Sequence, residues 1–258
     1  MKFKRLTFFA LSFLLILSGC SQITSNTANN GYSSYSMNKA GDYKTLANKD
    51  FKSGSNPYFE VNNNQAKLDP SSWKNEHIEY SNLDQLNRAG TTTAYLSDKN
   101  LGRSESRTEQ TWRPTGWHNQ PITINGRRVF PQNRGHLIAY TVTFSFDQNG
   151  TYVPGQLGSL NNPKNLVTQT EFSNQKTMQI FEEKVRDSLA QHKKVIYRVT
   201  PIFRGDELMP RGIWSQAIST DGTLNFNVYI WNVEPGISFD YATGRGHADR
   251  NERISNKS

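Results

Sequence analysis

The chain has 258 residues, a formal net charge of +8 and a single cysteine, Cys20. One cysteine excludes an intramolecular disulfide, so stability must come from core packing or a bound metal. The excess of positive over negative side chains favours a polyanionic partner. Charge alone does not distinguish nucleic acid from a cell-wall polymer or lipid headgroups.

Residues 1–20 are typical of a lipoprotein-type signal peptide. Lys2, Lys4 and Arg5 precede the apolar run LTFFALSFLLIL, which is too short to span a bilayer comfortably. The run ends in LSGC, which resembles a bacterial lipobox whose cysteine becomes the lipidated N-terminus. We therefore expect an exported protein, lipid-anchored to the cell surface at Cys20 or released outside the cell. An ordinary secretory signal with a chance cysteine is the alternative.

The rest of the chain divides into three parts by composition. Residues 21–56 are rich in Ser, Asn, Thr and Gly and have little hydrophobic periodicity, which predicts a flexible tether. Residues 57–245 are numerous enough for one domain with its own core. Residues 246–258 predict a charged, frayed C-terminal tail.

The first half of the domain predicts short elements. A short helix near Leu83–Arg88 precedes a β-branched strand at 91–97. The stretch RVFPQNRGHLIAYTVTF predicts a strand, a turn near Pro131–Arg134 and a second apolar segment. Residues 155–165 predict a loop by their Gly, Asn and Pro content.

The strongest predicted element is a helix at 173–192, which Ser173 or Asn174 can cap. Its apolar residues recur at spacings of three and four: Met178, Phe181, Val185 and Leu189. Three β-rich stretches follow, KVIYRVTPIF, IWSQAIST and LNFNVYIWNV, the last two joined by a DG turn at 221–222. The pattern predicts an α+β fold, mainly antiparallel sheet with one long helix.

Several polar residues around this helix are suited to phosphate chemistry. Glu182 and Arg186 are four residues apart, so they can pair or reach a common site. The amide oxygen of Asn174 is a hard ligand, suited to Mg²⁺ or Ca²⁺ rather than zinc. His136, in NRGH, could be core filler, a metal ligand or a general base. Taken alone, a helix cap and a surface salt bridge explain the helical residues better than a site does.

Three segments in order, NRGHLIAY, NNPKNLVTQTEFSNQ and FEEKVRDSL, resemble the DNA/RNA non-specific endonuclease family. The chain is most similar to bacterial DNA-entry and secreted DNases, which have a ββα-metal active site. The resemblance extends over roughly residues 75–245 in element order and is close over 133–189. The family signature usually begins with Asp, where this chain has Asn133.

The resemblance implies hydrolysis of DNA or RNA phosphodiester bonds to 5′-phosphate ends, with a single Mg²⁺ that Mn²⁺ or Ca²⁺ could replace. Asn174 is the implied metal ligand. The implied catalytic residues are His136 as general base, Asn165 to steady the site, Glu182 to orient metal-bound waters, and Arg186 and Arg134 to bind the scissile phosphate. The expected partners are nucleic acid and, through Cys20, a membrane, and no obligate protein partner is expected.

The segments GRSESRTEQTWRPTGW and NGRR bring arginines close to two tryptophans. We expect Arg113, Arg127 and Arg128 to bind substrate phosphates, while the tryptophans either stack on bases or pack in the core. No segment has base-reading geometry, so low sequence specificity is expected.

Two alternatives stay open. The first is a non-catalytic extracellular DNA-binding lipoprotein that captures DNA for uptake. The second is a degenerate family member in which Asn133 marks lost activity. The first predicts a basic groove but has no need of His136 with Asn174.

Overall fold

The computed structural model describes residues 36–255, with side chains from residue 42 onwards. The signal peptide predicted at 1–20, its Cys20 and the first part of the tether lie outside the described residues. The helices are α1 (Ser36–Ala47) and α2 (Gln179–Ala190), and a π-helical turn over Ser173–Met178 leads directly into α2. No helix of the described part is long and apolar enough to cross a membrane.

The described residues form strands along most of the domain. The strands are β1 (Tyr58–Glu60), β2 (His77–Tyr80), β3 (Thr92–Leu96), β4 (Ile122–Ile124), β5 (Arg127–Val129), β6 (Gln132–His136), β7 (Leu166–Thr170), β8 (Val195–Ile202), β9 (Gly212–Ser219), β10 (Asn225–Trp231), β11 (Ile237–Asp240) and β12 (Arg245–Ala248). Short 3-10 turns lie at Asn62–Asn64, Pro70–Ser72, Asp98–Asn100, Ser104–Ser106, Tyr140–Val142 and Pro163–Asn165.

One antiparallel sheet of six strands forms the centre of the domain, in the order β1-β10-β9-β8-β3-β2. The three β-rich stretches predicted after the long helix are its central strands, β8, β9 and β10. The predicted DG turn joins β9 to β10, and Gly222 adopts a φ of 73°, which a residue with a side chain rarely does. Three further pairs, β4–β5, β6–β7 and β11–β12, lie outside this sheet. The predicted α+β class is confirmed.

Helix α2 and the turn before it pack on one face of the sheet through the predicted apolar stripe. Its four residues, Met178, Phe181, Val185 and Leu189, are all buried. They share a core with sheet residues such as Tyr197 and Phe226. Periodicity alone was sufficient to find this contact, because the stripe is long and uninterrupted.

The opposite face of the sheet is covered by the N-terminal arm, which we define as residues 42–56. Leu46 is 3% exposed and packs with Trp214 and Tyr229. The hydroxyl of Tyr43 accepts a hydrogen bond from the backbone N–H of Phe203 at 2.9 Å. The prediction of a flexible tether over 21–56 is therefore wrong for the arm. The apolar residues of the arm are few and have no regular spacing, so neither composition nor periodicity predicted that the arm packs on the domain.

The C-terminal residues are also ordered. Strand β12 pairs with β11, and the backbone N–H of Gly54 donates to the carbonyl of Arg253 at 2.7 Å. Ile254 packs against the core beneath the N-terminal arm. The prediction of a frayed tail over 246–258 is wrong for residues 246–255, because they hold the arm in place.

Two local predictions in the first half are wrong. Residues 83–88 form a turn, since the Asp84 carboxylate accepts hydrogen bonds from the N–H groups of Leu86 and Arg88, and Asn87 has a φ of 60°. The turn predicted near Pro131–Arg134 is instead the start of β6, which pairs with β7. A proline is tolerated there because it immediately precedes the strand.

The buried arm predicts a stability effect. Leu46→Ala should lower the free energy of unfolding by about 2–5 kcal/mol, because it removes a buried side chain and leaves a cavity. Urea denaturation of the exported chain measures the change. Lys44→Ala is the matched control, since Lys44 is exposed on the same helix. Equal midpoints for the two variants would mean that the arm does not stabilise the domain.

Candidate active site

The candidate site is built on two paired strands and the helix that follows them. Strand β6 pairs antiparallel with β7, and His136 lies opposite Leu166. Strand β7 ends at Thr170, where the helical segment begins. The two strands and the helix therefore give the predicted ββα arrangement, with His136 at the last position of β6.

Gly135, next to this histidine, has no room for a side chain. A Cβ at this position would lie 2.3 Å from Oε1 and 2.8 Å from Cβ of Gln169, its neighbour on β7. Gln169 in turn donates from Nε2 to the hydroxyl of Ser173 at 3.0 Å. The glycine of NRGH thus allows a β7 side chain to lie across β6 and reach the helix.

Asn165 holds the chain that leaves β6. Its side-chain oxygen accepts from the N–H of Ile138, and its side-chain nitrogen donates to the carbonyl of Ile138, both at 2.9 Å. Its own backbone carbonyl accepts from the N–H of Leu137 at 2.8 Å. Asn165 is completely buried beneath the cleft. Asn165 does not line the cleft, and its hydrogen bonds fix the backbone of the two residues that follow His136.

The environment of His136 favours its neutral form. Burial, together with the positive charge of Arg107, lowers the pKa of His136 to about 4. The backbone carbonyls of Ser159 and Leu160 act in the opposite direction. Among the described residues, Nε2 of His136 has no hydrogen-bond partner. We infer that Nδ1 carries the proton and donates towards these carbonyls, which leaves Nε2 as the basic nitrogen.

The helical segment does not begin with the predicted cap. The N–H of Ser173 donates to the hydroxyl of Thr170 at 3.0 Å, and the N–H of Phe172 donates to the Glu234 carboxylate at 2.8 Å. Neither Ser173 nor Asn174 caps the helix, so that prediction is wrong. Because other residues satisfy the first N–H groups, the side chain of Asn174 is free to face the cleft.

The π-helical turn changes which residues share a face. In a regular α-helix, residues eight apart such as Asn174 and Glu182 would lie about 80° apart around the axis. A π turn contains more residues, so it reduces this angle and brings both side chains to the same cleft. No pattern in the sequence predicts this π-helical turn.

The predicted residues meet in a cleft of about 910 Å³. Five predicted site residues line it: Arg134, His136, Asn174, Glu182 and Arg186. The predicted substrate-binding residues Arg113, Arg127 and Arg128 are exposed and lie outside this cleft. Arg107 and Trp117, from the predicted arginine- and tryptophan-rich segment, also line the cleft, and the structure adds residues that the sequence did not single out, among them Gln110, Tyr140 and Lys176.

Two arginines in the cleft are fixed by aromatic rings. The guanidinium of Arg107 lies 5.0 Å from the ring centre of Tyr140, and that of Arg134 lies 4.8 Å from the ring centre of Trp117. The hydroxyl groups of Tyr140 and Ser106 form a hydrogen bond of 2.9 Å. Ser106 immediately precedes Arg107, so this contact also restricts the position of Arg107. Such contacts orient the cations without neutralising them.

Glu182 is a half-buried carboxyl group near the positive charges of Arg186 and Arg107. Burial raises the pKa of Glu182 to about 7, although Arg186 and Arg107 both act to lower it. A carboxyl group that is costly to ionise and surrounded by hydrogen-bonding side chains is typical of functional sites. Within the described part of the chain, no group of three His, Cys, Asp or Glu side chains is arranged to hold a metal ion.

Comparison with known proteins gives consistent matches. The family model for DNA/RNA non-specific endonucleases matches residues 67–220. Crystal structures of NucA from Streptococcus agalactiae, with no metal and with a magnesium ion bound, are each 30% identical to this chain. Their TM-scores are 0.65 and 0.66, over 82% of this chain and 96% and 97% of theirs. A structure of Sda1 nuclease with bound zinc ion is 22% identical, with a TM-score of 0.56 over 73% of this chain and 95% of its own, which shows the fold alone.

A curated deoxyribonuclease from Streptococcus dysgalactiae subsp. equisimilis is 32% identical over 94 residues, 34% of this chain. The match spans 29% of that relative's length. The alternative of a non-catalytic DNA-binding lipoprotein is not favoured, because these relatives are named nucleases. The resemblance predicted from the three sequence segments is confirmed: the chain belongs to the DNA/RNA non-specific endonuclease family.

Proposed function

We propose that the protein is an exported endonuclease that uses a divalent metal ion to hydrolyse phosphodiester bonds in DNA, with RNA as a second substrate. The observation that carries the proposal is the cleft that His136, Asn174 and Glu182 line together with Arg107, Arg134 and Arg186. A module that only bound DNA would need the arginines and would have no use for a buried histidine beside a hard-ligand asparagine.

His136 is proposed as the general base. Its lowered pKa keeps it neutral at neutral pH, so Nε2 can accept a proton from an attacking water without prior deprotonation. A bound phosphodiester would bring negative charge beside the ring and favour its protonated form. Asn165 would keep the ring in register through its hydrogen bonds to Ile138.

The side chains around Asn174 fit a hard divalent cation. An amide oxygen and a nearby carboxylate are the oxygen donors that Mg²⁺ prefers, and Mg²⁺ takes few protein ligands when a phosphate completes its shell. We propose that Asn174 holds a single ion and that Glu182 orients water around it. When bound, the ion supplies charge that stabilises the phosphoryl oxygens and makes a water acidic enough to protonate the leaving 3′ oxygen. Mn²⁺ or Ca²⁺ could take the same position.

Arg186, Arg134 and Arg107 are proposed to hold the scissile phosphate. All three line the cleft, and the last two are oriented by aromatic rings that leave their charge available. The remaining cleft residues offer amides and hydroxyls at its surface, in a setting that favours contact with the sugar–phosphate backbone. Low sequence specificity and 5′-phosphate products follow from this arrangement.

The general base is tested by plasmid cleavage. Exported chain is incubated with plasmid and Mg²⁺, with and without EDTA, and an intact plasmid in both samples would refute the proposed activity. His136→Ala should lower turnover by about 10²–10⁴-fold while DNA affinity and melting temperature change little, because the arginines and the metal attract the phosphate.

His118→Ala is the matched control for this variant, since His118 lies outside the cleft. His136→Gln is a second variant, because glutamine fills more of the space of the histidine side chain than alanine does. It removes the base while leaving a smaller cavity. If His136 only filled the core, His136→Ala would lower the free energy of unfolding by about 2–5 kcal/mol. Its activity would then fall only in proportion to the fraction of unfolded protein. A stable variant that cuts at the wild-type rate would also exclude the general-base role.

The metal ligand is tested by titration. Asn174→Ala should raise the Mg²⁺ concentration needed for half-maximal cleavage and lower the maximal rate, because it removes a direct ligand. DNA affinity without Mg²⁺ should stay close to the wild-type value, since no phosphate contact is lost. Gln175→Ala, at a neighbouring amide that also lines the cleft, is the control. An unchanged Mg²⁺ dependence in Asn174→Ala would show that a different residue binds the metal.

We also propose that the chain is anchored through a lipid on Cys20, supported by the LSGC sequence at the end of the apolar run. Cys20→Ser should move the protein from the detergent phase to the aqueous phase in Triton X-114 partitioning. Ser18→Thr, which keeps the cysteine, serves as the comparison. Identical partitioning of the wild-type and Cys20→Ser proteins would mean that Cys20 carries no lipid anchor.

A further inference from the structure

Strand β6 presents three polar side chains on one face. Because side chains alternate along a strand, Gln132, Arg134 and His136 point the same way, and all three line the cleft. Arg134 and His136 have proposed roles in the reaction, whereas Gln132 takes no part in it. Gln132 is only 1% exposed, and a polar group buried to that extent needs its hydrogen bonds satisfied by the protein.

The side-chain amide of Gln132 holds the segment that precedes β4. We call residues 114–119 the tryptophan loop. Oε1 of Gln132 accepts a hydrogen bond from the backbone N–H of His118 at 2.7 Å, and Nε2 donates to the carbonyl of Gly116 at 3.4 Å. Nε2 also donates to the carbonyl of Gly244, outside the loop, at 2.7 Å. One amide therefore binds the loop on both sides of its tryptophan and ties it to the residue before β12.

The tryptophan loop is also fixed from β7 and by its own glycine. The hydroxyl of Thr168, on β7, donates to the carbonyl of Thr115 at 2.8 Å. Gly116 has a φ of 71°, and a Cβ at this position would lie 2.9 Å from the carbonyl oxygen of Leu208. These contacts leave the loop little freedom to move relative to the β6–β7 pair.

Trp117, at the centre of the loop, contacts Arg134. The guanidinium carbon of Arg134 lies 4.8 Å from the centre of the Trp117 ring, and both side chains are half-buried and line the cleft. Among the described residues, Arg134 forms no salt bridge, and its Nε is buried without a hydrogen-bond partner. The indole ring is therefore the contact that orients the guanidinium, and it leaves the positive charge available to a phosphate.

A fixed arginine binds a phosphate better than a free one. Ordering a long side chain on binding costs conformational entropy, and this cost is smaller when the folded protein already restricts that side chain. The guanidinium must also lie correctly relative to His136, two residues further along β6, for an attacking water to meet the phosphate. The position of Arg134 therefore affects both affinity and turnover.

We propose that Gln132 is a positioning residue that acts through Trp117 to hold Arg134 in place for the scissile phosphate. This inference rests on the proposed nuclease function, and it assigns Gln132 no contact with the reacting atoms. Glutamine suits the role because its amide supplies the acceptor for one backbone N–H and the donors for two carbonyls. Methionine would fill similar space without these donors, and glutamate would place a carboxylate against two carbonyl oxygens.

The test is a double-mutant cycle in the full exported chain. Gln132→Met removes the hydrogen bonds of the amide, and Arg134→Gln removes the guanidinium. We expect kcat/KM on plasmid DNA to fall about tenfold for Gln132→Met and about a hundredfold for Arg134→Gln. In the Arg134→Gln background, Gln132→Met should cost less than about a further twofold, because the arginine through which it acts is absent. Losses that multiply in the double variant would overturn the proposal.

Variants of Trp117 test the link between the amide and the arginine without changing the buried glutamine. Trp117→Phe keeps an aromatic face for the guanidinium, whereas Trp117→Leu removes it. We expect Trp117→Phe to keep kcat/KM within about threefold of wild type and Trp117→Leu to lose about as much as Gln132→Met. Equal losses in the two Trp117 variants would mean that the ring only fills space, which would refute the proposed link.

Gln216→Met is the matched control for Gln132→Met. Gln216 is 2% exposed, lies on β9 outside the cleft, and accepts a hydrogen bond from the backbone N–H of Lys67 at 2.9 Å. It should lower the melting temperature but leave kcat/KM of the folded protein unchanged. If it lowers kcat/KM as much as Gln132→Met does, or if Gln132→Met does not fold where Gln216→Met does, the role of Gln132 is in folding and the proposal fails.

The same cycle is measured on DNA affinity in EDTA, where no bond is cut. Wild-type protein that leaves plasmid intact with Mg²⁺ would contradict the proposed function. The coupling between Gln132→Met and Arg134→Gln in DNA affinity would still decide the positioning role, since an arginine binds phosphate whether or not hydrolysis follows. Independent effects of the two substitutions on DNA affinity would then overturn it.

Discussion

The paired hydrogen bonds between the Asn165 side chain and the backbone of Ile138 are the contact on which the site depends. The chain leaves β6 directly after His136 and enters the core, where its N–H and carbonyl groups must be paired. An amide supplies one donor and one acceptor in a fixed fork, so Asn165 satisfies both groups of Ile138 at once. Because Asn165 immediately precedes β7, the histidine is held in register with the strand that leads to α2.

The sequence was sufficient where the determining interactions are local. The apolar stripe of α2 could be found because it depends on spacing within a short segment. His136, Asn174 and Glu182 were identified through the resemblance of three sequence segments to a known family. The residues that cap the start of the helical segment could not be predicted, because one of them, Glu234, is distant in the chain. The N-terminal arm was missed for a similar reason, since Leu46 is buried by strands that follow more than 150 residues later.

Composition identified arginines as phosphate ligands, but it could not show which arginines lie in the cleft and which lie outside it. Arg107 enters the cleft because Ser106 and Tyr140 fix the turn beside it. Arg127 and Arg128 lie outside the cleft on β5, where Arg128 shares a face with Thr123 and Arg127 shares the other face with Ile124. Strand alternation decides such outcomes, and a three-residue strand is too short to be recognised from sequence.

Arg107 connects binding to protonation. Its charge acts on His136 and on Glu182, lowering the pKa of both groups, while burial lowers the first and raises the second. A phosphodiester held by Arg107 would offset that charge beside the histidine, so the imidazole would become a stronger base when substrate is present. In the proposed mechanism the cleft therefore needs no permanently strong base: burial keeps His136 neutral before binding, and the guanidinium of Arg107, which adds to this effect, is the charge that a bound phosphate would neutralise.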